Sequence, residues 1–152
     1  MATIHASCVA VDGCGVLLLG PPGSGKSDLA LRLIDGGALL VADDRVDIRA
    51  VDGRLEASPP ETLAGRIEVR GLGILAVDWR PRATLGLAVE LLTDARPPRL
   101  PEPAERRFAG IALPLVRLAP FEASAAAKVR LAVRAAGADS AGETAPNSTS
   151  AR

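Results

Sequence analysis

The residues Gly20-Pro21-Pro22-Gly23-Ser24-Gly25-Lys26-Ser27 satisfy the phosphate-binding pattern G-x-x-x-x-G-K-[ST] at every fixed position. The chemistry behind that spacing is specific. Glycines let the backbone curl so that its N–H groups point inward at phosphate oxygens. A helix starting at the end of the curl adds its partial positive charge. Lys26 is a mobile cation able to follow β- and γ-phosphates, and the Ser27 hydroxyl can ligate Mg²⁺. Lysine usage singles out the same residue. Of 18 basic side chains only Lys26 and Lys128 are lysine, so this chain uses arginine wherever charge alone is needed. A rigid guanidinium fork would not follow a phosphate as a lysine does.

Two further groups of residues could do chemistry. Val41-Ala42-Asp43-Asp44 is an apolar run ending in carboxylates, which puts charge at the strand edge where ligands gather in open α/β sheets. One Asp could hold Mg²⁺ and the other accept a proton from an incoming hydroxyl. Alone, the pair reads equally as a solvated turn between strands; beside a phosphate-binding loop it is read as functional. Ile67-Glu68-Val69-Arg70-Gly71-Leu72-Gly73 has two glycines that allow close backbone approach, and Glu68 could add a metal ligand. Arg96, Arg99, Arg106 and Arg107 surround a proline-rich connection, and one of them reaching a γ-phosphate would assist phosphoryl transfer. His5, the lone histidine, reads on residue type alone as structural.

These groups need elements to position them. The pattern predicts strands over 4–11 and 16–19, parted by the turn signal Asp12-Gly13-Cys14-Gly15, then a non-regular loop over 20–25. From Lys26 the spacing of Leu29, Ala30, Leu33 and Ile34 predicts a helix ended by Gly36-Gly37. Strands follow over 38–42 and 46–51, the second closed by Asp52-Gly53. A short helical stretch is predicted from Pro59-Pro60 to Ala64, then strands over 67–69, 74–77, 85–92 and 111–118, and a helix over 122–136. Residues 1–136 are expected to form one domain. The small, polar segment 137–152 is expected to be disordered.

Composition narrows the function classes. The 18 acidic residues cancel the basic ones, so no field favours nucleic acid, and two Phe, one Trp and no Tyr cannot build a platform for single strands. One His excludes a multi-histidine metal site. Cys8 and Cys14 lack the companions of a zinc site; they could bridge neighbouring strands but are expected as reduced thiols. With no basic leader and no apolar run of spanning length, the chain is expected to be soluble, cytoplasmic and free of membrane. The only Asn is Asn147, so the Asn-Lys-x-Asp sequence of guanine-reading GTPases is absent. So are the signatures of eukaryotic-type protein kinases. A small ATP-dependent phosphotransferase remains.

Ile4-His5-Ala6, Gly20 to Ser27, Ala42-Asp43-Asp44-Arg45-Val46 and Ile67-Glu68-Val69-Arg70-Gly71-Leu72-Gly73-Ile74, in this order and spacing, resemble the catalytic domain of HPr kinase/phosphorylase. The likeness covers roughly the first half of the chain. It implies an α/β fold, a P-loop-containing nucleotide-binding fold with a mixed central β-sheet flanked by helices. It also implies an ATP- and Mg²⁺-dependent kinase acting on a serine of an HPr-type phosphocarrier protein, in a homo-oligomer, a hexamer by resemblance. Carried over by residue, Lys26 is the phosphate ligand, Ser27 and Glu68 serve Mg²⁺, Asp44 is the acid/base, and His5 and Arg99 are catalytic; Asp43, the other carboxylate of the pair, is then the one read as holding Mg²⁺. The chain resembles the short form, without the N-terminal domain of longer members. The segment Arg117 to Ser124 departs from the family's arginine-rich pattern, which counts against the reverse reaction, phosphorolysis with pyrophosphate release, more than against the kinase. The rival readings are a phosphate-loop sensor that binds nucleotide with little turnover, and a small-metabolite kinase.

Overall fold

A computed structural model describes residues 2–144, with side chains described for 2–137. The strands are β1 (Ala2–Ile4), β2 (Ser7–Val11), β3 (Cys14–Leu19), β4 (Leu39–Ala42), β5 (Val46–Val51), β6 (Arg54–Ser58), β7 (Arg66–Val69), β8 (Gly73–Ala76), β9 (Ala83–Leu91), β10 (Ala104–Phe108) and β11 (Ile111–Leu118). The helices are α1 (Lys26–Asp35) and α2 (Ala125–Thr144), with a single 3₁₀ turn at Glu61–Leu63.

Nine strands form one mixed sheet in the order β1-β5-β6-β9-β3-β2-β4, with β11 also pairing with β9 and β10 with β11. The long strand β9 is the pivot. Its first residues pair with β6, its length runs parallel to β3, and its last residues run parallel to β11. Because β2 is antiparallel to both β3 and β4, β4 points the same way as β3. The chain therefore leaves β3, β4, β9 and β11 at one edge of the sheet. That edge receives the phosphate loop, Asp43-Asp44 and the connection from β11 to α2.

Alternation along the central strands builds two cores, because successive side chains of a strand point to opposite faces. Val16 and Leu18 join Leu29 and Leu33 of α1 and Val129 and Val133 of α2 on one face. Leu17 and Leu19 join Val41, Ile48, Leu55 and Leu115 on the other, where the sheet curls over itself. Both helices thus lie on one face of the mixed sheet, and strands close the other.

The expected elements are present, with instructive differences. The single strand expected over 4–11 is two, broken at His5-Ala6, because β1 pairs with β5 while β2 pairs with β3 and β4. Strands β6 and β10 were not foreseen. Each follows or precedes a tight turn with two positive φ values, Asp52-Gly53 and Ala109-Gly110, the turn whose twist suits a hairpin. In β6 the apolar face is only Leu55 and Ala57, too short a pattern to stand out. The last helix starts at Ala125 and continues to Thr144, so the segment expected to be disordered from 137 begins as helix. Its remainder, 145–152, lies outside the described residues. Cys8 and Cys14 are free thiols, opposite Leu17 and Val11 rather than each other. Among the described residues, no helix is long and apolar enough to cross a membrane.

Candidate active site

Strand β3 delivers the chain to Gly20, and the loop curls so tightly that a Cβ on Gly20 would stand 2.5 Å from the Ser24 hydroxyl. Ser24 N–H donates to Pro21 O at 3.1 Å, closing the turn. Gly25 has φ +96°, a left-handed backbone that only glycine adopts without cost, and it starts α1. The first bond of the helix ladder is Leu29 N–H to Gly25 O, at 2.9 Å. The N–H groups of Lys26, Ser27 and Asp28 precede it and have no intrahelical acceptor. All three residues line a cavity of about 560 Å³, together with Pro22, Gly23 and Gly25.

Lys26 is buried, 8% exposed. Its Nζ is folded back on the loop, donating to Gly20 O at 2.6 Å and Pro21 O at 3.1 Å. Two carbonyls satisfy a buried ammonium only partly, so an anion in the loop would be a better partner. The Ser24 Oγ is wholly buried and has no partner among the described residues. It is a polar group held inside the curl.

The Asp pair sits at the end of β4 and is tied to the loop. Asp43 is 8% exposed and accepts three hydrogen bonds. Ser27 Oγ donates to its Oδ1 at 2.6 Å, Ser7 Oγ to the same oxygen at 3.0 Å, and Glu68 N–H to Oδ2 at 3.1 Å. One carboxylate thereby joins α1, β2, β4 and β7. Asp44 is exposed and lines the cavity. Its φ is +69°, and Arg45 N–H donates back to Asp43 O at 2.8 Å, so Asp44 is the centre of a tight three-residue turn. Such a conformation costs roughly 1–3 kcal/mol and persists only where its surroundings hold it. Here Ala6 N–H donates to Asp44 O at 3.1 Å, and Asp44 N–H donates to Ser7 Oγ at 3.3 Å. The break between β1 and β2 supplies the first contact and the first residue of β2 the second.

Of the expected site residues, the structure gathers the loop 20–27, Asp43, Asp44 and Glu68 around one cavity edge. Glu68 lines the cavity, and its backbone anchors Asp43. His5 is exposed in the bend before Ala6, next in sequence to the Asp44 contact, and is not among the cavity-lining residues. Arg99 is exposed in the connection from β9 to β10 and does not line it either. Arg106 and Arg107 are both exposed on β10, on opposite faces of the strand, Arg106 over the Phe108 ring at 5.8 Å and Arg107 3.6 Å from Glu105. The arginine that does line the cavity is Arg70. Sequence reasoning missed Ser7 entirely. A serine at a strand start has no local signature, and only the pairing of β2 with β4 brings it to Asp43.

The thiols near this sheet are held neutral. Burial pushes Cys8 from 9.0 up to about 12, outweighing a backbone hydrogen bond at Val16, and burial also raises Cys14.

A model of the HPr Serine kinase C-terminal domain matches residues 1–81. An HPr kinase/phosphorylase of Clostridium tetani is 50% identical over 74 residues, covering 49% of this chain and 24% of that protein. That of Caldanaerobacter subterraneus subsp. tengcongensis is 53% identical over 76 residues, covering 49% and 25%. The chain thus spans about a quarter of the length of these curated relatives. The solved structure of the Hpr(Ser) kinase/phosphatase from Coxiella burnetii superposes with a TM-score of 0.82 at 27% identity, over 93% of this chain and 94% of that one. The structural likeness therefore extends well past residue 81, into the half where sequence similarity fades, and the fold is that of a P-loop kinase. With its first 81 residues matched and its loop, Asp pair and Glu68 segment brought together, the chain belongs to the HPr serine kinase C-terminal domain family.

Proposed function

We propose that this chain is an ATP- and Mg²⁺-dependent kinase that phosphorylates a serine of an HPr-type phosphocarrier protein in the cytoplasm. The observation that carries this reading is the 2.6 Å hydrogen bond from Ser27 to Asp43, which couples the phosphate loop to the Asp pair. A loop that only held phosphate would not need a second carboxylate, Asp44, exposed at the same cavity.

The donor set suits the metal. The Ser27 hydroxyl and the carboxylates of Asp43 and Glu68 are hard oxygen ligands. Among the described residues no cluster of three or more His, Cys, Asp or Glu forms a closed cage. Few protein ligands, leaving room for water and phosphate oxygens, is how Mg²⁺ is usually held. When bound, Mg²⁺ draws negative charge from the phosphate oxygens.

The residues then divide the work. Lys26 exchanges the carbonyls of Gly20 and Pro21 for phosphate oxygens. The free N–H groups at the start of α1 take others. Asp43, braced by Ser7 and Glu68 N–H, holds Ser27 in place. The partner's serine oxygen enters in line with the bond that will break. Asp44 takes its proton as the new O–P bond forms and the bond to the departing nucleoside diphosphate breaks. His5 and Arg99 are proposed to join from the rim.

Arg117 is the only arginine in the segment 117–124, and its guanidinium is paired with Glu90 at 2.8 Å. This supports a kinase weaker in the phosphorolytic direction. The deciding experiment incubates the protein with γ-labelled ATP, Mg²⁺ and purified HPr. Label on an HPr serine supports the kinase. Tight nucleotide binding without transfer makes the chain a sensor, and label in a metabolite pool with none on HPr makes it a small-metabolite kinase. Phosphorylated HPr with inorganic phosphate, assayed for pyrophosphate, tests the reverse reaction.

A further inference from the structure

Phe121 is unexplained by packing. It is 66% exposed, yet it lines the cavity of the phosphate loop, the only aromatic residue to do so among the described ones. Its ring rests on Gly25: a Cβ built there would stand 2.9 Å from Cζ and 3.0 Å from Cε1. One side of the ring is thus set against the loop and the rest is open at the cavity lip.

The backbone that carries the ring is also held in place. The guanidinium of Arg32, on α1, donates to the carbonyls on both sides of Phe121, those of Pro120 and Glu122. The same guanidinium pairs with Asp28 of the first helical turn at 3.0 Å. Glu122 is fixed further by Lys128 at 2.9 Å. The connection from β11 to α2 is therefore fastened to the helix that follows the phosphate loop. An exposed phenyl ring thus stands beside the phosphate loop on backbone that is tied to α1.

We propose that Phe121 is the face on which the base of the bound nucleotide stacks. This rests on the nucleotide-binding reading above and adds where the base lies and how it is recognised. A phenyl ring offers a flat apolar surface and no hydrogen-bonding group, so it selects for a flat base without distinguishing adenine from guanine. Stacking of a base on an aromatic side chain corresponds to about 5- to 150-fold in affinity.

The test is calorimetric titration of the full chain with Mg²⁺-ATP, Mg²⁺-GTP and inorganic tripolyphosphate, which presents the phosphates without a base. Phe121→Ala is expected to weaken ATP and GTP about fivefold or more and to leave tripolyphosphate within about twofold. Phe121→Trp is expected to keep ATP affinity and to show fluorescence quenching on ATP addition beyond that of Trp79 in the parent chain. Equal weakening of ATP and tripolyphosphate, or unchanged ATP binding by Phe121→Ala, overturns the stacking role while leaving nucleotide binding intact. A parent chain that binds neither ATP nor tripolyphosphate overturns the nucleotide reading itself.

Discussion

Replacing Ser7 with alanine removes an atom with two duties. Its Oγ donates to Asp43 at 3.0 Å and accepts from Asp44 N–H at 3.3 Å, at a position with no solvent exposure. A hydrogen bond to a charged group is worth about 1.5–3 kcal/mol. Asp43 keeps the donors Ser27 and Glu68 N–H, so the lower half of that range applies. The longer Asp44 contact adds about 0.5 kcal/mol. Water cannot replace Ser7 freely at a fully buried site. The expected loss is therefore about 2 kcal/mol, or a fall in Tm of roughly 4–8 °C for a domain of this size. Urea unfolding, with the midpoint shifted and the slope unchanged, measures it. The same variant releases one of the two backbone tethers on the strained Asp44 turn. Phosphoryl transfer is accordingly expected to fall more than nucleotide affinity. A cycle with Asp43→Asn isolates the pair: groups in contact should couple by about 1 kcal/mol or more. Strict additivity of the two substitutions, or a stability loss under about 0.5 kcal/mol, would refute the account of Ser7 as the brace of the Asp pair.

Other outcomes follow from the same geometry. Lys26→Ala is expected to abolish tight ATP binding and phosphoryl transfer together, measured by titration and by label transfer to HPr. Asp44→Asn is expected to retain nucleotide binding and lose transfer, and asparagine accepts the φ of +69° readily, so folding should be unchanged; full activity in that variant would remove Asp44 as the base. Gly25→Ala is expected to cost about 1–2 kcal/mol for its left-handed backbone, with displacement of Phe121 besides. At Gly36, φ is −89° and the side chain in the way is the flexible Arg130, so Gly36→Ala should cost less than about 1 kcal/mol in the same unfolding assay. Because Cys8 is raised to about 12, the unfolded chain releases its thiol proton first. Stability is intact below pH 9.0 and declines as pH rises toward 12, by up to about 1.4 kcal/mol per pH unit. Cys8→Ala should flatten that alkaline slope, and a slope unaltered by it would show that other groups set it.

Most residues that the structure gathers at the cavity were legible before any fold was known, because their constraints are local. The curl of 20–25 needs glycine at set positions, and Lys26 and Ser27 follow it directly on the first turn of α1. An apolar run ending in Asp43-Asp44 signals a strand edge by itself. The strands with clear apolar runs were legible for the same reason, whereas β6 and β10 hold too few apolar residues to be read without their partners. What the local pattern could not supply is convergence. Asp43 lies 36 residues from Ser7 and 25 from Glu68 along the chain, and only the register of β2 against β4 and the seat of β7 beside α1 bring those groups to one carboxylate. The break at His5-Ala6 is likewise invisible in a continuous β-favouring run, since it arises from β1 and β2 pairing with different neighbours. Phe121 read as part of an atypical segment; Arg32, 88 and 90 residues from the carbonyls it holds, fastens the backbone on either side of it to α1. Short-range stereochemistry sets a loop, a helix start and a strand end, while hydrogen bonds between distant segments decide which of them meet.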